Sequence, residues 1–166
     1  MKLLNLAAIA ALGITGQPAT AHDFTIGDLT IDHPIVFETP RSAMSGGGYL
    51  SVTNNGTSSD RLIEVSADFP RVRLHMTEES DGVARMIHVE AIEIPAGETV
   101  VLEPGGAHVM FMGLNGNPFE VGEEIPATLI FEQAGRIEVV FKVESRDAAT
   151  GERTDHSGHG GHGMSN

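Results

Sequence analysis

The chain has 166 residues, 23 Asp and Glu against 10 Lys and Arg, a formal charge of −13, and no cysteine. That balance excludes binding to nucleic acid or to anionic membrane surfaces, which select basic patches, and leaves cations and basic protein surfaces as partners. Without cysteine there are no disulfides, so one domain of this length has to be held by its hydrophobic core.

Residues 1–21 read as a secretory signal peptide. Lys2 is the only charge, an apolar run follows from Leu3 to Ile14, and Ala19-Thr20-Ala21 supplies a small-x-small cleavage site. The apolar run is too short to span a bilayer. Cleavage after Ala21 leaves an exported, acidic chain that begins at His22 and does not insert into membranes.

From residue 22 to 146 helical periodicity is hard to find. Short β-rich segments alternate with turn residues, which predicts an all-β sandwich or barrel. Phe24 to Ile31 is broken at Gly27-Asp28, and Tyr49 to Thr53 follows three glycines and ends at Asn54-Asn55-Gly56. Arg61 to Val65 and Val72 to Met76 flank Asp68-Phe69-Pro70. Val83 to Val89 is expected to pair back on the second of these strands. Ala91 to Ile94, Thr99 to Leu102 and Ala107 to Met112 follow. Thr128 to Glu132 and Ile137 to Val143 close the domain as a hairpin. Residues 147–166 contain no Ile, Leu, Val or aromatic residue, and are expected to form a disordered His- and Met-containing tail.

Four residues stand out as metal donors: His75, Met86, His108 and Met110. A four-residue loop over Glu79-Ser80-Asp81-Gly82 would place His75 directly opposite Met86 on a hairpin, with Cβ atoms about 5 Å apart. His108 and Met110 lie two apart on a later strand and so share a face. The same alternation turns Met76 and Val109 to the other face and leaves Met112 below the site as a flexible core residue. Whether the hairpin and the later strand lie side by side is not fixed by the sequence. Thioethers are soft and uncharged and favour Cu(I), while imidazole suits copper in either state. Outside the cytoplasm they also resist the oxidation that would close a pair of thiols. A blue-copper electron-transfer site needs a Cys thiolate, and there is none. A copper enzyme needs an open coordination position, which four such donors do not leave. No nucleophile elbow, zinc-protease helix or phosphate loop is present, so the chain is not expected to be an enzyme.

The pattern His75, ten residues, Met86, twenty-one residues, His108-Val109-Met110 resembles the signature of the periplasmic copper chaperone family written PCu(A)C. Gly48 to Asn54, Leu74-His75, Pro104-Gly105-Gly106 and Phe111 to Leu114 are also similar to that family. The resemblance spans about Leu29 to Val143. It implies a cupredoxin-like Greek-key β-barrel, a periplasmic location, and one Cu(I) held by His75, Met86, His108 and Met110. It also implies delivery to a copper-accepting protein of cytochrome c oxidase assembly, either an oxidase subunit or a thiol-containing copper chaperone. The alternative is a copper storage or tolerance protein with no dedicated recipient. A monomer is expected. In the tail, His156, His159 and His162 with Met164 form a second candidate site, suited to Cu(II). His22 is a weaker candidate, His88 lies near the edge of the core site, and His33 reads as a loop residue.

Overall fold

The computed structural model describes residues 23–80 and 82–147. The expected signal peptide, His22, and the tail donors His156, His159, His162 and Met164 lie outside the described residues. Eleven strands run in chain order: β1 Phe24–Ile26, β2 Leu29–Phe37, β3 Ser45–Asn54, β4 Asp60–Ala67, β5 Arg71–Ser80, β6 Val83–His88, β7 Ile92–Ile94, β8 Thr99–Leu102, β9 Ala107–Met112, β10 Glu124–Phe131 and β11 Gly135–Glu144. The all-β expectation holds. Among the described residues no helix is long and apolar enough to cross a membrane.

One hydrogen-bonded path links the strands in the order β6-β5-β9-β3-β2-β11-β10-β4-β7, with β1 added to β2 and β8 to β3. The path is open, ending at β6 and β7. Its one parallel pairing among the described strands is β2 with β11, at Ile35↔Lys142 to Phe37↔Glu144. Strand alternation turns one residue in two inward. Leu74 and Val109 pair across β5 and β9 on the core face, and both are buried with Phe111, Phe141, Leu129 and Val52. Around Phe111 the rings of Phe69, Phe119 and Phe141 pack edge-on at 5.3–5.9 Å.

The expected strand at Tyr49 starts four residues earlier, and Gly46-Gly47-Gly48 belongs to it. These glycines are a packing device. A Cβ on Gly46 would stand 2.5 Å from the Phe119 ring, and one on Gly48 would stand 2.7 Å from the Phe111 ring. On the other face a Cβ on Gly47 would stand 2.5 Å from the Tyr49 hydroxyl. Rings thus fill the space that side chains on β3 would have taken.

The far end of the fold is held by buried polar groups. Asp60 accepts hydrogen bonds from the backbone N–H groups of Arg61, Gln133 and Ala134 at 2.7–2.9 Å, tying β4 to the β10–β11 turn. Asn54 donates to the carbonyls of Ser58 and Ile94 and accepts from the Gly56 N–H. Both satisfy buried backbone groups that would otherwise cost stability.

Candidate metal centre

The non-local pairing that places the candidate site is β5 against β9. Its register sets His75 directly opposite His108, Arg73 opposite Met110 and Arg71 opposite Met112. The two strands expected between Met86 and His108 go elsewhere: β7 pairs with β4 and β8 with β3. β9 is therefore free to lie beside β5.

The β5–β6 hairpin departs from the expected register. Ser80 pairs with Val83, so two residues separate the strands and not four. Gly82 has φ of 74°, the left-handed backbone that such tight hairpin turns require. The Asp-Gly dipeptide at 81–82 is the sequence signature of this turn and outweighs the four-residue alternative. As a result His75 faces His88, and Met86 faces Thr77. The shift is by two residues, so Met86 keeps the face of His75 but lies diagonal to it.

His108, 3% exposed, is one of three buried polar residues in the described structure. Its Nδ1 lies 3.0 Å from the Gly106 carbonyl oxygen. A carbonyl only accepts, so Nδ1 carries the proton and Nε2 bears the lone pair. That Nε2 is buried with no hydrogen-bond partner, and so is Nδ1 of His75 across the strand gap. The Thr77 hydroxyl, on the same face, is the third such atom. Leaving buried polar atoms unpaired costs on the order of 1–3 kcal/mol each. Two orphaned imidazole nitrogens side by side are an arrangement that a metal ion would satisfy.

The spacing fits a shared ion. The His75 and His108 ring centroids are 5.9 Å apart, with planes at 84°. Two imidazoles bound to one ion through nitrogens at about 2.0–2.1 Å place their centroids roughly 5–6 Å apart. Burial, then the neighbouring His108 and His88, push the pKa of His75 below the ordinary value of 6.5. His75 is thus held neutral, as a ligand must be.

The lowered pKa also ties the stability of the metal-free protein to pH. An unfolded chain takes up the His75 proton first as pH falls. The stability tied to neutral His75 is therefore full above about pH 6.5 and is lost progressively as pH drops from there through the lower folded value. NMR titration of the ring protons is expected to show His75 mainly neutral at pH 6.5. A midpoint at or above that value would contradict the burial argument.

Among the described residues no three His, Cys, Asp or Glu side chains converge as they stand. Further donors to the histidine pair would be thioethers. Met110 is half-buried on β9, one step along from His108. Met86 is 63% exposed on β6, an outermost strand of the path. Two inter-strand spacings, about 9.5 Å, separate β6 from β9. Its side chain has to lean across His75 to meet the others, and its exposure leaves it free to do so. Met76 sits on the opposite face, between Ile87 and Ala107. Met112 shares the face of Met110 and is half-buried.

One neighbour escaped the sequence reading, and another, expected at the edge of the site, lies closer in. The ring of Tyr49 lies 6.5 Å from that of His108, and Tyr49 is half-buried, with its hydroxyl pKa raised by that burial. The other is His88, directly opposite His75 with centroids 6.0 Å apart. His33 is not in a loop. It lies in β2 at a register break, with φ of 50°, and is 3.7 Å from the Glu144 carboxylate.

An all-β domain with two buried, partnerless imidazole nitrogens on paired strands offers donors of the kind that suit a soft metal ion. The chain belongs to the LpqE-like family, whose model, described as "Putative lipoprotein LpqE-like", matches residues 29–143. A protein of Leifsonia xyli subsp. xyli (strain CTCB07) described as "Putative lipoprotein Lxx21020" is 31% identical over 158 residues, covering 89% of this chain and 93% of its own. Among solved structures, the copper-bound PCuAC domain from PmoF2 is 30% identical, with a TM-score of 0.63 over 75% of this chain and 98% of that domain. The Cu(I) form of DR1885 from Deinococcus radiodurans is 28% identical, with a TM-score of 0.58 over 77% and 84%. The fold is thus that of PCuAC domains.

Proposed function

We propose that this protein is an extracytoplasmic copper carrier that binds one Cu(I) through His75, His108, Met110 and Met86. The observation that carries the reading is the pair of buried, unpartnered ring nitrogens on neighbouring strands. Thioethers beside them favour Cu(I) over harder ions, and four neutral donors place no negative charge on the site. The similarity to the copper-bound PmoF2 domain supports copper as the ion, and that to Cu(I)-DR1885 supports its oxidation state. The donor set leaves no open position for a substrate, which supports a carrier and not an enzyme.

Met86 completes the site from the solvent side. A cargo ion leaves by exchange of one ligand at a time, and the donor on an outermost strand is the one a recipient reaches first. Met86→Leu is expected to lower Cu(I) affinity about tenfold and to speed dissociation, with Met110→Leu losing more because Met110 shares a strand with His108 and is half-buried, whereas Met86 is exposed on an outermost strand. Anaerobic competition with a chromophoric Cu(I) chelator measures both. Unchanged affinity in Met86→Leu would remove it from the ligand set.

Delivery towards cytochrome c oxidase assembly, through an oxidase subunit or a thiol-containing chaperone, is the recipient reading. Storage without a recipient is the alternative. Cells lacking the protein are expected to lose oxidase activity when copper is scarce. Loss of tolerance at high copper, with oxidase intact, would favour storage. His156, His159, His162 and Met164 are proposed as a separate Cu(II)-binding site, of a composition in which imidazole dominates.

A further inference from the structure

The register of three neighbouring strands lines up three histidines, one more than the proposed copper ligands use. His88 on β6, His75 on β5 and His108 on β9 are direct cross-strand partners in one row. The central ring is 6.0 Å from one neighbour and 5.9 Å from the other. The outer two are held alike. Nδ1 of His88 lies 3.0 Å from the Leu74 carbonyl oxygen, as Nδ1 of His108 lies 3.0 Å from that of Gly106. Each carbonyl fixes the proton on Nδ1 and leaves the Nε2 lone pair free. Metal-binding histidines are typically anchored in this way, through the nitrogen that does not bind.

We propose that His88 is an additional donor of this site, engaged when the ion is Cu(II). The inference rests on the copper-carrier reading and deepens it. Cu(II) is harder than Cu(I), prefers nitrogen to thioether sulfur, and accepts square-planar arrangements of imidazoles. Met86 and His88 lie two apart on β6 and on one face, so the same strand edge offers Cu(I) a sulfur and Cu(II) a nitrogen. His88 is exposed, so an ion reaches its ring from solvent while Nδ1 stays on the Leu74 carbonyl. Among the described residues no three histidines converge on a point in the metal-free geometry. The row closes by rotation of the unanchored central ring, His75, with the outer two kept on their carbonyls and no change in strand register.

The test uses the full chain with the tail histidines replaced, His156→Gln, His159→Gln and His162→Gln, so that the tail does not mask the core. Cu(II) is titrated against an amino-acid chelator, with nitrogen couplings read by electron paramagnetic resonance. Cu(I) is titrated anaerobically in parallel. Adding His88→Gln is expected to weaken Cu(II) binding about tenfold or more and to remove one nitrogen coupling, while changing Cu(I) affinity less than about threefold. Unchanged Cu(II) affinity and couplings would overturn the proposal, and so would equal losses for both ions. The result for His75→Ala in the same background separates the two readings. If it loses copper in both states while His88→Gln loses neither, only the role of His88 fails. If His75→Ala keeps both, the copper site itself is wrong.

Discussion

Alanine at His75 or at His108 is expected to lower Cu(I) affinity by roughly a hundredfold or more, the largest binding effect of any single change in the chain. The two rings are the central, directly opposed pair of the site. Among the described residues they own both ring nitrogens that are buried without partners. Met110 and Met86 can be replaced in part by other soft contacts or by water. An imidazole nitrogen fixed beneath neighbouring strands has no such substitute. The two variants differ in what else they lose. His108→Ala also removes one of two hydrogen bonds to the Gly106 carbonyl, which keeps that from the Thr77 N–H, and hollows out a buried position, so it is expected to lower stability as well. His75→Ala removes an unpaired nitrogen and is expected to leave the copper-free protein about as stable as before, within roughly 1 kcal/mol. Anaerobic chelator competition and thermal melts of both variants check this. His33→Ala, in β2 and clear of the site, is the control. Copper affinity unchanged in both His75→Ala and His108→Ala would refute the site.

Much of this arrangement was legible in the chain because its causes are local. Turn residues bound almost every strand, and alternation along β9 places His108 and Met110 on one face. The strand from Ala107 to Met112 matches its expected bounds. What the sequence did not carry was non-local. Nothing near His75 says that β9 will pair with β5, because that adjacency is set by where β7 and β8 find partners. The hairpin register failed for a narrower reason. A two-residue and a four-residue loop preserve the same face, and alternation alone does not choose between them. Only the backbone preference of Gly82 does. The choice moved Met86 away from His75 and brought His88 opposite it.

The triple glycine of β3 shows how the same strand serves core and site through opposite faces, and it yields the second large effect. Gly48→Ala is expected to destabilise the protein by about 2–3 kcal/mol, because overpacking a filled core forces side chains off their rotamers. The new Cβ would stand 2.7 Å from the Phe111 ring, 3.2 Å from the Phe141 ring and 3.4 Å from Val109 Cβ. All three neighbours are buried, so none has room to retreat. Gly47→Ala adds the same single carbon one residue earlier, on the other face. There the obstacle is the Tyr49 hydroxyl at 2.5 Å, the outer end of a half-buried side chain, which can swing away at small cost. Swinging it moves a ring that now lies 6.5 Å from His108. Gly47→Ala is therefore expected to melt close to the parent and to alter copper affinity. Gly48→Ala is expected to melt well below it, with affinity retained while folded. Thermal melts paired with Cu(I) competition distinguish them. If both variants lost stability equally, the space above Gly47 would be as tightly packed as the core, and the division of labour between the two faces of β3 would be wrong.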